Sequence, residues 1–358
     1  MNTPPTPQRS LRAHRPHRPA PRAATNAEYI ARLAGRLTER DQWLARMLYE
    51  HKVLTTGQIT QLAWPSTRSA NLRLLRLYQW RVVDRFQPFA TYGSAPMHYV
   101  LDIAGAAVLA RQDGLEQDEF GYRHDRALGL AHSLRLAHTV ATNTFFTTLV
   151  DRSRHSGNGG RLTAWWSEAR CRGFFGDIVR PDAYGRWRER GAEFEWFLEY
   201  DWGTERPADL VGEKLPGYAH LAATSGITTP ILFWTPTARR EERVRRALDI
   251  AAALLEEPSL VPAATTCTDL VPGEECADPA VRRWLPLGAP TSDPGLRLCL
   301  TELPTAWSEL PAPGTAAAAR QPDPEEDPED HEAMPGPPRP PSPQPPSTPT
   351  GPRPRKVP

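Results

Sequence analysis

The sequence predicts an α+β protein of two folded units between unstructured, proline-rich ends. Three observations carry that expectation. Residues 37–109 read as three short helices followed by two strands. From Leu162 onward helical and strand patterns alternate, with carboxylates standing inside apolar strands. And 17 of the 39 prolines fall between Pro311 and Pro358, so the 358-residue chain must fold in its middle.

The ends are read first. Residues 306–358 combine proline with an acidic run, "DPEEDPED", and carry hardly any large apolar side chain. Such a segment buries too little surface to offset its conformational entropy and is expected to be disordered. Residues 1–27 are similar but basic, an arm suited to lie on nucleic acid or simply to keep the chain in solution. Net charge of +1 hides this asymmetry. No apolar run reaches the roughly 20 residues of a membrane span, and no secretory signal is visible, so a cytoplasmic protein without a membrane partner is expected. Cys171, Cys267, Cys276 and Cys299 contain no CxxC pair, which supports neither a zinc site nor a disulfide framework.

The first unit is placed at 28–115. "TERDQWLARMLYEH" opens on Thr38 with Asp41 three residues on, a capping box, and turns Trp43, Leu44, Met47 and Leu48 to one side. "TTGQITQLAW" repeats the device with Thr55 and Gln58, and Pro65 ends that helix. In "STRSANLRLLRLYQW" Ala70, Leu74 and Leu77 make an apolar face, with Arg68, Ser69, Arg73 and Arg76 directed elsewhere. "RVVDRF" and "MHYVLD" then read as strands of a hairpin with "QPFATYGSAP" at its tip. Three helices and a two-stranded wing is the order of a winged helix-turn-helix. Between His51 and Val83 there is no acidic residue, while Lys52, Arg68, Arg73, Arg76 and Arg81 are basic. That bias suits a helix entering the major groove of double-stranded DNA, so these five and Ser69 are the expected DNA contacts. A winged helix used for protein contact alone remains the other reading.

Residues 116–158 are read as connecting helices, helical over roughly 126–152, with Leu130, Leu134, Ala141 and Phe145 sharing a face. His138 and Asn143 on this stretch are expected to be hydrogen-bonded structural residues that bridge the two units. The second unit is placed at 159–305. "TAWWSEARCR" reads as a short helix, or the end of one, holding Glu168, and Asp182 follows Pro181, where extended backbone is favoured. The strand "FEWFLEYDWG" carries Glu199 and Asp201 on one face, since a strand has a period of two. Two like charges in apolar company need compensation: a divalent cation, Lys214 on the next helix, or the guanidiniums of Arg180 and Arg206. Lys214 and Tyr218, four apart, share a helix face.

"RPDA", a hairpin turn, "FLEYDWGTE" and then "EKLPGY" resemble the replication-relaxation proteins of actinobacteria and their plasmids over roughly residues 37–290. The resemblance implies a PD-(D/E)xK nuclease-like domain behind a winged helix, a mixed β-sheet flanked by helices. It implies that Asp182 and Glu199 ligate a metal ion, with Glu168 the acid that precedes the sheet. The pattern expects a lysine two residues after the second acid; here that position is Asp201, and Lys214 is the lysine that could replace it. Asp182, Glu199 and Asp201 are hard oxygen ligands suited to Mg²⁺ or Mn²⁺. The catalytic candidates are therefore Asp182, Glu199, Asp201, Lys214 and Glu168, and the metal candidates the three acids. Three functions follow: a DNA-binding protein for replication, relaxation or transfer of plasmid DNA, meeting replication or conjugation proteins; a metal-dependent endonuclease targeted by its winged helix; or a winged-helix transcription regulator.

Overall fold

The computed structural model describes residues 11–14, 25–90, 94–155, 157, 159–271, 277–290, 294–307, 310 and 339–347. The expected disorder of the arm and tail otherwise lies outside the described residues, as does part of the hairpin tip.

Strand β1 (Leu11–His14) pairs antiparallel with the later strand β4 (Pro88–Ala90), Leu11 opposite Ala90, so four residues of the arm read as unstructured belong to a sheet. Helices α1 (Ala27–Ala34) and α2 (Glu39–His51) follow. At α2 the Thr38 hydroxyl accepts from the Asp41 amide and the Asp41 carboxylate accepts from the Thr38 amide, the expected capping box. Strand β2 (Leu54–Thr55) leads directly into α3 (Thr56–Ala63), boxed in the same way by Thr55 and Gln58. Trp64 takes extended backbone before Pro65 and stops α3. Ser66 caps α4 (Thr67–Gln79). Strands β3 (Val83–Phe86) and β5 (His98–Leu101) complete a three-stranded antiparallel sheet in the order β2-β5-β3, one strand more than the hairpin expected. Helix α5 (Ile103–Gln112) closes the unit.

The connecting helix is interrupted. Helix α6 (His124–Gly129) passes through a 3₁₀ turn to α7 (Leu136–His155). Leu134 falls in the break and is 81% exposed, so it does not share the buried face of Phe145. Helix α7 is the element common to both units. Its Asn143 Nδ2 donates to the carbonyls of His51 (3.3 Å) and Val53 (2.7 Å), while Gln58 Nε2 donates back to Val140 O at 2.7 Å. His138 Nε2 stands 3.1 Å from Tyr200 O in the second unit. The bridging roles expected of His138 and Asn143 are those the structure gives them.

The second unit is a six-stranded mixed sheet with helices on both faces. Strand β6 (Arg161–Ser167), helix α8 (Glu168–Phe175), and strands β7 (Ala183–Glu189) and β8 (Ala192–Tyr200) come first. Helix α9 (Pro207–Ser225), β9 (Ile231–Thr235), α10 (Ala238–Ala252), β10 (Ala263–Cys267) and β11 (Leu285–Pro286) follow. The order is β11-β10-β9-β8-β7-β6, with β8, β9 and β10 parallel and the outer pairs antiparallel. The β7–β8 turn uses Arg190 (φ 52°) and Gly191 (φ 83°), the positive-φ pair of a tight hairpin. "TAWWS", expected to be helical, is strand. Its adjacent tryptophans explain why: with a period of two, Trp165 packs with Phe146 of α7 on one face and Trp166 against Tyr184 on the other. The α7 face of the sheet shares a continuous apolar core with α2, α3 and α4, and the opposite face packs on α8, α9 and α10.

Candidate functional site

The alternation of β8 sends Phe197 and Glu199 toward α9, with Asp201 following beyond the strand's end. Glu199 is 1% exposed. Tyr218 Oη donates to its Oε1 at 2.5 Å and the Lys214 ammonium pairs with its Oε2. Lys214 and Tyr218 reach it together because they lie one turn apart on α9. Burial pushes the Glu199 carboxyl up to about 7, against the pull of Lys214 and with the repulsion of the nearby Asp182 charge. Asp182 lies just before β7. Its Oδ2 accepts from the Tyr200 amide at 2.8 Å and is 3.3 Å from His138 Nε2. Burial favours its neutral form, but Lys214, His138 and that amide hold it down at about 2. Burial acts to lower the pKa of His138, but the hydrogen bond and the charge of Asp182, with the Tyr200 carbonyl and Glu168, together raise it. Asp182, Glu199, Lys214, Tyr218 and His138 thus form one partly buried, alternating-charge cluster.

Asp201 is not part of it. Arg240 of α10 clamps Asp201 with Nε to Oδ2 at 2.5 Å and Nη2 to Oδ1 at 3.0 Å, and the Gly203 amide donates to Oδ1 at 2.8 Å. The compensating partners are therefore Lys214 for Glu199 and Arg240 for Asp201. Neither Arg180 nor Arg206 supplies them: Arg180 Nε donates to Gly176 O, and Arg206 is the N-cap residue before α9. Arg240 escaped sequence reasoning because it is 39 residues from Asp201 in a basic run, "ARREER", with nothing local to single it out. Glu168, first residue of α8, pairs with Arg135 at 3.1 Å and shares with Asp182 a cavity of about 180 Å³. Lys52, His51, His138 and Arg172 also line that cavity, which opens at the seam between the two units.

The fit of a divalent ion follows from these bonds. Both oxygens of Asp201 and both of Glu199 already accept from cationic or hydroxyl donors, and a carboxylate so engaged has little left to offer a metal. Glu199 and Asp201 as they stand do not fit a shared ion. Among the described residues, the set whose ligand atoms lie within 4.8 Å of one another is Asp84 and Asp102 of the first unit with His124 at the start of α6.

The expected DNA contacts divide sharply. Arg68 and Arg76 lie on the exposed side of α4. With Asn71, Leu72, Leu75 and Gln79 they occupy i, i+3, i+4, i+7, i+8 and i+11, one continuous open face. Leu72 and Leu75, 62% and 41% exposed, stand in its middle. The others are engaged in contacts within the chain. Arg73 pairs with the buried Asp41 and stacks over Trp80 at 5.2 Å. The Ser69 hydroxyl donates to Ser66 O at 2.7 Å within the helix cap. Arg81 has its Nε 3.6 Å from Asp102 Oδ2. Lys52 donates to Tyr49 O at 2.9 Å and lies at the cavity rather than beside α4. Asn71 and Gln79, which the sequence reading did not single out, stand on the same exposed face by their helical spacing.

No helix among the described residues is long and apolar enough to cross a membrane. No curated protein and no solved structure matches the chain. A family model does. It begins at residue 46, inside α2, and runs to residue 232, inside β9, taking in the open face of α4, the seam and the Asp182–Glu199–Lys214 cluster, though not Arg240. That match spans more than half of the sequence, and this chain belongs to the replication-relaxation family.

Proposed function

We propose that this protein binds double-stranded DNA and serves the replication, relaxation or transfer of plasmid or other mobile-element DNA, alongside replication or conjugation proteins. The observation that carries the reading is the face of α4. It is the last of the four helices that precede strands β3 and β5, and it turns two arginines and two carboxamides outward from a stretch without acids. Arginine on phosphate or guanine and carboxamide on adenine are the side chains that read a major groove, and exposed leucines suit the thymine methyl. The second unit is then a nuclease-like platform whose acids are neutralised by Lys214 and Arg240. Mobility-shift titration with duplex DNA tests the reading. Arg68→Ala with Arg76→Ala should weaken binding at least tenfold; unchanged affinity would exclude α4 as the contact.

One observation favours a second reading, a working endonuclease. Asp182 and Glu199 are driven to opposite protonation tendencies beside a lysine, the pattern that separates acid from base in hydrolytic sites. Supercoiled plasmid incubated with the protein and Mg²⁺ or Mn²⁺ would then be nicked, and Asp182→Ala would abolish nicking while leaving the mobility shift intact.

A further inference from the structure

Residues 339–347, "RPPSPQPPS", lie in the tail read as disordered, yet they are placed against the folded body. We infer that the seam between α2 and the edge strand β6 is a docking site for a proline-rich peptide, and that this segment of the chain's own tail occupies it. Two hydrogen bonds define the contact. The Trp43 indole Nε1 donates to the carbonyl of Ser342 at 2.7 Å, and Gln344 Nε2 donates to the carbonyl of Leu162 at 3.3 Å. Trp43 belongs to the first unit and Leu162 to the second, so the segment is a strap across both. Pro343, between the two anchors, is buried.

The chemistry on each side is complementary. Proline has no amide hydrogen and a fixed φ, so a run of prolines offers carbonyl acceptors on a backbone already extended, and little entropy is lost on docking. Proteins that recognise such runs present aromatic side chains with donors. Trp43 supplies both. Gln344, like Ser342, keeps its amide hydrogen between the proline pairs, and the Gln344 amide donates to the Ser342 hydroxyl at 3.2 Å, a turn that brings the Gln344 side chain to β6.

The receiving surface has a need of its own. Strand β6 ends the sheet, and an edge strand presents unpaired amides and carbonyls that invite another strand. At Leu162 the amide is taken by Ser153 Oγ at 3.3 Å and the carbonyl by Gln344. At the other end of the strand the Ser167 amide is taken by Glu50 at 3.2 Å. The strap thus closes a position on the edge that the body leaves open.

The test uses the full chain, ¹⁵N-labelled, with the Trp43 indole resonance assigned by its loss in Trp43→Phe. A tail variant carrying Pro341→Gly, Pro343→Gly and Gln344→Ala leaves the body untouched. Solvent exchange of the Trp43 indole proton should be at least tenfold faster in this variant than in the natural chain. A free peptide of residues 339–347 at millimolar concentration should restore slow exchange in the variant and leave the natural chain unchanged, since the tethered segment already acts at an effective concentration on the order of millimolar. Equal exchange in the two chains overturns the inference. So does a variant that ignores the peptide. Protection that rises with protein concentration would assign the strap to a second copy and overturn occupation in cis.

Discussion

Arg240 and Asp201 show how one side chain changes the meaning of a motif. Read along β8, Glu199 and Asp201 look like paired metal ligands; in space each carboxylate has its own cation from a different helix. With Asp201 3% and Arg240 11% exposed, removing one partner strands a buried charge. Arg240→Ala should therefore destabilise the fold by about 3–5 kcal/mol in urea titration, and Asp201→Asn with Arg240→Met should recover most of that loss. Glu199 gives a pH signature. Its folded pKa, about 7, is above the ordinary carboxylate value of 4.5, so between those limits the folded state binds the extra proton. Its contribution to stability is complete below pH 4.5 and is lost as pH rises through 7. Asp182 has the opposite sign, since its pKa is lowered from 3.8 to about 2: its contribution is present above pH 3.8 and lost as pH falls toward 2. Denaturation midpoints should decline from pH 5 to 7.5 in the natural chain, and Glu199→Gln should flatten that decline while leaving the loss below pH 4 in place.

Helix α4 extends the argument to the element. Its core stripe was legible, because Ala70, Leu74 and Leu77 signal locally through their spacing. The assignment of its arginines was not. Arg73 stands next to Leu74 on the flank of the apolar stripe, and only Asp41, 32 residues away, decides that it turns inward. Strand and helix were likewise confused at "TAWWS", where two tryptophans are buried because the sheet is covered on both faces, and a doubly covered strand loses its alternation. At the second unit the acids, Lys214 and the mixed sheet were legible; the partners that decide what the acids do lie on other elements. A consequence for α4 can be measured. Arg68→Ala and Arg76→Ala should each reduce the salt dependence of DNA binding by about one counterion, whereas Arg73→Ala should leave that slope unchanged and lower stability instead.

At the scale of the molecule, a polar cluster around one carboxylate stands at the seam between the two units. Glu50, at the end of α2, accepts from the Ser167 amide at 3.2 Å, the Ser167 hydroxyl at 2.9 Å, Arg170 Nε at 2.9 Å and Arg170 Nη2 at 2.8 Å. Burial opposes its charge, yet Arg170, the neighbouring His51 and the Ser167 amide hold its pKa at about 2. Beside it His51 stacks on Trp165 at 3.6 Å and is kept neutral by burial, with a pKa of about 3. Apolar packing through α7 joins the units as well, so the seam sets how firmly they move as one body rather than whether they touch. Glu50→Ala leaves the Arg170 guanidinium, 8% exposed, without its counter-charge at this junction. Loss of about 3–5 kcal/mol is expected, concentrated between the units. The natural chain should unfold in a single calorimetric transition and Glu50→Ala in two, the first unit and the second melting apart. A variant that still melts in one transition would place the coupling in the α7 core instead of the seam.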